Sequence, residues 1–229
     1  MINFIFVFSV GTILASFLNV VATSLPMKEN WINRRSACPK CKEMLKPYQL
    51  LPIISYVVQK GKCSGCKCVI PTRYPLTEIA GGALAVVPLF LGDSYVGSAR
   101  IWIFFALLFT VTLTDLYYRL VPNKILLFFG VPLFFISDHV LPAFFGFLFF
   151  LFADFIGRFL FKKETIGGGD IKLYFVIGLV LGIQQILYSI FISSALALLY
   201  LLLFAKDKSA PIPFVPFIAT GSILSLLFF

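Results

Sequence analysis

Residues 101–123 read IWIFFALLFTVTLTDLYYRLVPN: fourteen uncharged positions, Ile101 to Thr114, closed by Asp115 and followed by a turn that carries Arg119 and by Pro122-Asn123, where the next apolar run opens. Such a run buries nothing in water and suits a bilayer, whose core asks for about 20 mostly apolar residues per helix, fewer where a helix is enclosed by its neighbours. An acid at the boundary of such a run is costly to keep there and is a functional candidate by default.

The rest of the chain has the same character. Of its 229 residues 60% are hydrophobic and 13% charged, with 28 Phe and a mean hydropathy of +0.98, whereas soluble domains carry about a quarter charged residues. Eight candidate spans follow, at about 2–25, 75–92, 101–117, 123–137, 140–161, 171–183, 185–205 and 212–229; the fourth, sixth and eighth are short or contain proline. The first opens Met1-Ile2-Asn3-Phe4 without a basic region and runs longer than the apolar core of a signal peptide, so it is expected to be a retained span. The expected fold is an all-α polytopic membrane protein of about eight transmembrane helices with a small zinc-ribbon-like cytoplasmic insert. The Phe-rich stretch 144–161 is expected to face lipid.

Orientation follows from the basic residues. With the N-terminus outside, the inner loops are about 26–74, 118–122, 162–170 and 206–211, and together with Lys124, Arg158 and Lys172 at adjoining helix ends they hold 18 of the 19 Lys and Arg, Arg100 being the exception. Topology thus accounts for the net charge of +9, and no nucleic-acid partner is needed. Three parts are expected: a first span at 1–26, a cytoplasmic four-cysteine insert at 27–74 and a helical membrane domain at 75–229.

All five cysteines lie in the insert, as Cys38-Pro-Lys-Cys41, Cys63-Ser-Gly-Cys66 and Cys68. Two C-x-x-C pairs 21 residues apart match the spacing of closed, structural zinc sites, in which four thiolates hold the ion tetrahedrally. A reducing cytoplasm argues against disulfides, and a metal supplies the stability that a polar insert of this size lacks. Cys38, Cys41, Cys63 and Cys66 are the expected ligands; Cys68 is a bystander or a substitute for Cys66.

Four acids lie at membrane depth or at helix ends: Glu78, Asp115, Asp154 and Asp170. Asp115 ends one span, Asp170 follows Gly167-Gly168-Gly169 at the start of another, and the topology above puts both at the inner boundary. Two carboxylates at one depth can meet, share a proton and work as base and acid on a water and an amide, without a nucleophilic side chain or a catalytic metal. The glycines are expected to supply positive φ and room for a substrate strand, and the helix start places a positive dipole end at Asp170. Each acid also has a bland reading of equal weight: Asp115 as an exposed acid beside Arg119, and Asp170 as a helix N-cap paired with Lys172. Asp154 is expected to pair with Arg158 four residues on. Glu78 is either a helix-start acid or a site residue. His139 is the sole histidine and is expected outside, which excludes an HExxH protease and a Ser-His-Asp triad, and Gly167–Gly169 lacks the spacing of a nucleotide loop.

Along nearly its whole length the chain resembles the type IV prepilin peptidases, GxGD-type aspartyl proteases of bacterial membranes. The resemblance rests on Gly11 to Pro26 (GTILASFLNVVATSLP), Arg35-Ser36-x-Cys38-Pro39-x-Cys41, Leu51-Pro52, Gly61-Lys62-Cys63-x-x-Cys66, Arg73-Tyr74-Pro75-Leu76-x-Glu78, Asp115 with Val121-Pro122-Asn123, and Gly167-x-Gly169-Asp170-x-Lys172. It implies that Asp115 and Asp170 are the catalytic pair, supported by Gly167, Gly169 and Lys172. It further implies that the substrates are prepilins or pseudopilins with a short basic leader, a glycine and an apolar helix, cut at the cytoplasmic face of the bacterial plasma or inner membrane. Members that keep the cysteine insert then methylate the new N-terminus with S-adenosylmethionine; Gly61 and Lys62 match a position tied to that step, and Glu78 is placed with them. Val121-Pro122-Asn123 departs from the commoner Leu-Pro-Asp, and Cys68 is extra. The short chain resembles versions that serve competence pseudopili in single-membrane bacteria.

Two other readings remain at this point. Another GxGD protease of presenilin or preflagellin type lacks the cysteine pairs, and the presenilin type has Tyr before its first Asp where Thr114 stands here. A non-catalytic zinc-binding membrane scaffold or transporter would tolerate Asn at Asp115 and Asp170.

Overall fold

Every one of the eight apolar segments forms a helix in the computed structural model, which describes residues 4–29, 35–38, 40–162, 166–204 and 212–229. Residues 206–210 and 211, 163–165, Arg34 and Pro39, used above for topology and motif, lie outside the described residues. Five helices or helix pairs are long and apolar enough to cross a membrane: Phe4–Ser24, Arg73–Leu91, Tyr95–Tyr118, Val140–Leu160 and Ile183–Leu203. The other three segments are the short or proline-bearing ones. By its internal contacts the chain divides into two units, Met1–Phe90 and Leu91–Phe229.

The first unit holds α1 (Phe4–Ser24), a single 3-10 turn (Pro47–Leu50), α2 (Ile54–Val58), α3 (Arg73–Val86) and α4 (Pro88–Leu91). Helices α1 and α3 pack antiparallel through small residues: Gly11 lies against Ala85, Gly81 against Ala15, and a Cβ on Gly82 would come within 2.7 Å of the Thr12 methyl. In lipid, where apolar side chains gain nothing by leaving the solvent, close backbone approach of this kind drives helix association. Among the described residues of the insert there is no strand; two isolated antiparallel bridges, Ala37 with Met44 and Lys62 with Val69, close its two cysteine loops.

The second unit holds α5 (Tyr95–Tyr118), α6 (Asn123–Phe135), α7 (Val140–Phe161), α8 (Gly168–Gly178), α9 (Ile183–Leu203) and α10 (Val215–Phe228). Ser94 caps α5, its hydroxyl accepting from the Gly97 N–H at 3.0 Å. The short helix α8 is enclosed: Leu173, Tyr174 and Ile177 are fully buried, and it packs against α6, α7 and α9. Phe144, Phe149, Phe152, Phe155 and Phe159 of α7 are exposed, as expected for a lipid-facing stretch, while Phe150 turns inward to stack on Tyr174 at 4.0 Å. Buried hydroxyls join the last helices, with Tyr174 Oη 3.0 Å from Ser193 Oγ, Ser189 Oγ 2.8 Å from Ser222 Oγ, and Ser225 donating to the Gln185 carbonyl at 2.6 Å.

At Gly221 of α10 a Cβ would lie 2.8 Å from the Ser189 carbonyl oxygen and 2.9 Å from the Ser193 nitrogen, both backbone atoms that cannot rotate away. Gly221→Ala should therefore destabilise this unit by about 1–3 kcal/mol, more than the roughly 1 kcal/mol that alanine gains over glycine in a helix. Thermal unfolding of the purified protein in detergent checks this, with Gly168→Ala, where a Cβ meets nothing within 4 Å, as the neutral comparison.

Candidate active site and four-cysteine centre

Asp115 sits in the last turn of α5. The helix ends there because Arg119 turns left-handed, at φ 55°, and donates its N–H to the Asp115 carbonyl at 2.8 Å. The side chain is buried, 6% exposed, and Oδ2 accepts the N–H of Val215 at 2.9 Å, across 100 residues of chain. Val215 is the first residue of α10, so its N–H is one of the donors that a helix leaves unsatisfied at its N-terminus. The bland reading of Asp115 as an exposed surface acid does not describe this residue, although the Arg119 charge does act on it.

Asp170 is the third residue of α8, one turn inside a helix capped by Gly167, and its N–H donates to the Gly167 carbonyl at 2.9 Å. It is therefore a first-turn acid at the positive end of the helix dipole, not the N-cap. Lys172 pairs elsewhere, its Nζ donating to Asn123 Oδ1 at 3.1 Å. A Cβ on Gly169 would lie 2.8 Å from Val121 Cβ. The Val121-Pro122-Asn123 turn that follows Asp115 is thus interlocked twice with the segment that carries Asp170. The expectation of positive φ in that loop needs correction. Gly167 has φ −63°, and the one glycine with positive φ among the described residues is Gly61. Close approach, not left-handed backbone, is what the loop uses its glycines for: Gly169 against Val121, and Gly168 opening on free space.

The start of α10 is the part of this site that sequence reasoning missed. Its one local signal is the run Pro211, Pro213, Pro216 ahead of the final apolar segment, which marks an abrupt helix start without saying what its amides face.

In the first unit, Glu78 of α3 has both oxygens engaged. Oε1 accepts from Ser16 Oγ of α1 at 2.9 Å, and Oε2 accepts the Ile53 N–H at 2.7 Å. Ile53 lies at φ 61° and ψ −54°, with the Ile54 N–H bonded back to the Pro52 carbonyl. This is a γ-turn of the strained hand on a β-branched residue, which persists only when held from outside. Glu78 is that hold. From this turn α2 runs to Gly61, whose N–H returns to the Tyr56 carbonyl at 2.9 Å and whose φ of +67° suits glycine. Lys62 follows, exposed, and leads into Cys63.

The two cysteine loops repeat one design. Lys42 and Lys67, each four residues past the first cysteine, take left-handed φ of 61° and 57° and donate to the Cys38 and Cys63 carbonyls at 3.0 Å. Cys38 N–H closes on the Glu43 carbonyl at 3.0 Å and Cys63 N–H on the Cys68 carbonyl at 2.9 Å. Cys68 thus occupies the closing position that Glu43 holds in the first loop, although its sulfur lies 3.7 Å from that of Cys38. The sulfurs of Cys38, Cys41, Cys63 and Cys66 all lie within 4.8 Å of one another, with Cys38–Cys66 and Cys41–Cys63 both at 3.9 Å. Tetrahedral coordination at about 2.3 Å per thiolate puts sulfurs about 3.8 Å apart, so this set can hold a metal ion. The N–H groups of Cys41 and Lys40 hold the Cys38 thiol down at about 6, and the Cys68 N–H lowers Cys66. Crowded thiols cannot all ionise unaided: Cys68, beside Cys66, is pushed up to about 12, and Cys41 rises to about 11 although the Glu43 N–H favours its thiolate, because burial and the bond to Cys38 outweigh it. A divalent cation removes that conflict.

Comparison with known proteins covers both units. A family model described as the bacterial peptidase A24 N-terminal domain matches residues 9–91, and one described as the type IV leader peptidase family matches residues 102–202. A Bacillus subtilis protein named prepilin leader peptidase/N-methyltransferase is 35% identical, the match covering 100% of this chain and 94% of that protein. Proteins of the same name from Pseudomonas aeruginosa and Vibrio cholerae are each 30% identical, over 95% and 83% of this chain and 87% and 82% of theirs. No solved structure matches the chain. With both family models matched in order and a relative aligned from end to end, the chain belongs to the type IV leader peptidase family.

Proposed function

We propose that this membrane enzyme cleaves the leader peptide from type IV prepilins or pseudopilins with Asp115 and Asp170 and then N-methylates the exposed N-terminal residue. The observation that carries the cleavage site is the double interlock of the two acid-bearing segments, Gly169 on Val121 and Lys172 on Asn123. One carboxylate takes a proton from the attacking water while the other gives one to the leaving amide nitrogen. Val215 N–H holds Oδ2 of Asp115, so the oxygen of that residue that takes or gives the proton is Oδ1. The open space at Gly168 gives the extended leader junction room beside the acids. The substrate's apolar helix lies in the bilayer, so that binding it places the scissile bond.

The orientation we assign has the N-terminus outside and the acid pair at the cytoplasmic face of the plasma or inner membrane, in keeping with Arg119, Lys162 and Lys172 at the same helix ends. The helices from residue 75 onward carry cleavage, and the insert at 27–74 serves methyl transfer. Zinc is the metal we assign to Cys38, Cys41, Cys63 and Cys66; four protein ligands make it structural, and it supplies the folding energy of the insert. S-adenosylmethionine is the methyl donor. Glu78, Gly61 and Lys62 are assigned to that step as one connected piece, since Glu78 fixes the turn at Ile53 from which α2 leads to Gly61.

Two experiments test these assignments. Co-expression with a prepilin should show loss of the leader mass with the wild-type protein, and rates lower by on the order of 10²–10⁴-fold with Asp115→Asn or Asp170→Asn; processing by both variants would sink the cleavage reading. Elemental analysis of the purified protein should find one zinc per chain, lost in Cys38→Ser and Cys63→Ser together with N-terminal methylation while cleavage continues. Unchanged zinc in those variants would remove the four-cysteine site.

A further inference from the structure

Asp154 was expected to pair with Arg158, and it does, Arg158 Nε donating to Oδ2 at 2.6 Å. A pair formed for the helix surface alone would leave its carboxylate in contact with solvent or headgroups, yet Asp154 is 4% exposed. Its other oxygen, Oδ1, accepts the N–H of Ile166 at 3.2 Å. Ile166 is the residue immediately before Gly167-Gly168-Gly169-Asp170.

The register of the α7–α8 pair explains how the two meet. A Cβ on Gly146 would lie 3.1 Å from the Tyr174 carbonyl oxygen, Gly178 lies against Pro142 and Ala143, and Phe150 stacks on Tyr174. Continuing that antiparallel register one turn further along α7 brings Asp154 opposite the entry to α8. Gly146, Phe150 and Asp154 follow one another at four-residue spacing on the face turned to α8, whereas Phe152, Phe155 and Phe159 point away and are exposed. Gly167 caps α8 and Gly168 and Gly169 are its first two residues, so the entry to the helix has no side chains with which to fix its place, and Gly168 has nothing within 4 Å of where a Cβ would be. Its position is set from its ends, by Val121 against Gly169 and by Asp154 on Ile166.

We propose that Asp154, oriented by Arg158, is a positioning residue for peptide cleavage: by holding the backbone of Ile166 it fixes the glycine loop and so the place of Asp170 relative to Asp115. This rests on the reading of Asp115 and Asp170 as the cleaving pair. It acts through the backbone and touches no substrate, so its removal lowers turnover and leaves substrate binding in place.

The test uses the full-length protein in lipid–detergent micelles with a pseudopilin precursor. Asp154→Ala is expected to lower kcat by on the order of 10²-fold, the scale set by misplacing a reacting group by about 1 Å, with KM within about two-fold of wild type. Asp154→Asn keeps an acceptor for the Ile166 N–H but turns its amide donor toward Arg158, and should recover part of that loss; Arg158→Leu, which leaves the carboxylate on Ile166, should lose less than Asp154→Ala. Wild-type kcat in Asp154→Ala, a loss confined to KM, or an asparagine variant no better than alanine overturns the role. If the alanine protein does not fold, as followed by its melting temperature, Arg158→Leu decides, and wild-type kcat there overturns it. Asp170→Asn in the same assay separates the two layers: if that variant still cleaves, the cleaving pair itself is wrong, whereas an inactive Asp170→Asn beside a fully active Asp154→Ala removes the role of Asp154 alone.

Discussion

A carboxylate at the end of a membrane helix has to be met by donors, because the bilayer offers it no water, and the bond from the Val215 N–H to Asp115 Oδ2 is where this fold meets that demand. The bond satisfies two deficits together, the acid that α5 carries to its end and an amide that α10 leaves open at its start. It also fixes which oxygen of Asp115 is held. Around it, Asn123 takes Lys172 and Val121 takes Gly169, so the turn after Asp115 is the shared wall between the two acid-bearing segments.

The legible part of this protein was the part written locally. Eight apolar runs became helices within a few residues of their expected bounds, because hydropathy and chain length are properties of the run itself. The three runs singled out as short or proline-bearing are the ones that fall outside the five candidate spans. Of these, α8 is covered on its flanks by other helices, which no run of residues states. The cysteine loops were equally legible: each closes on itself within six residues through one left-handed lysine, so the spacing of the cysteines carries nearly all of the geometry.

What could not be read depends on pairings between distant residues. Asp115 with Val215, Glu78 with Ile53 and Asp154 with Ile166 each join a side chain to a backbone N–H, and an N–H looks the same at every position in a sequence. The glycines before Asp170 were read as a source of left-handed backbone and of room for a substrate strand; the backbone there is not left-handed, and the Val121 side chain presses on Gly169. Asp170 was weighed as an N-cap, but the helix begins two residues earlier, at Gly168, and this moves the acid into the first turn.

The same device recurs in both units. Glu78 and Asp154 each use one oxygen on a side-chain donor and the other on a backbone N–H: at a strained turn, Ile53, in one case, and at Ile166, just before the glycine entry to α8, in the other. A carboxylate suits this task because it accepts at two oxygens and donates at neither, and charge-assisted bonds are roughly twice as strong as neutral ones. An amide in its place would present one acceptor and one donor, and the donor would face a second donor. Three buried or half-buried acids are therefore each engaged by one backbone amide, and Glu78 and Asp154 also by a side-chain donor on the second oxygen. In Asp115 the bond falls on Oδ2 alone, which leaves Oδ1 for the cleavage we propose.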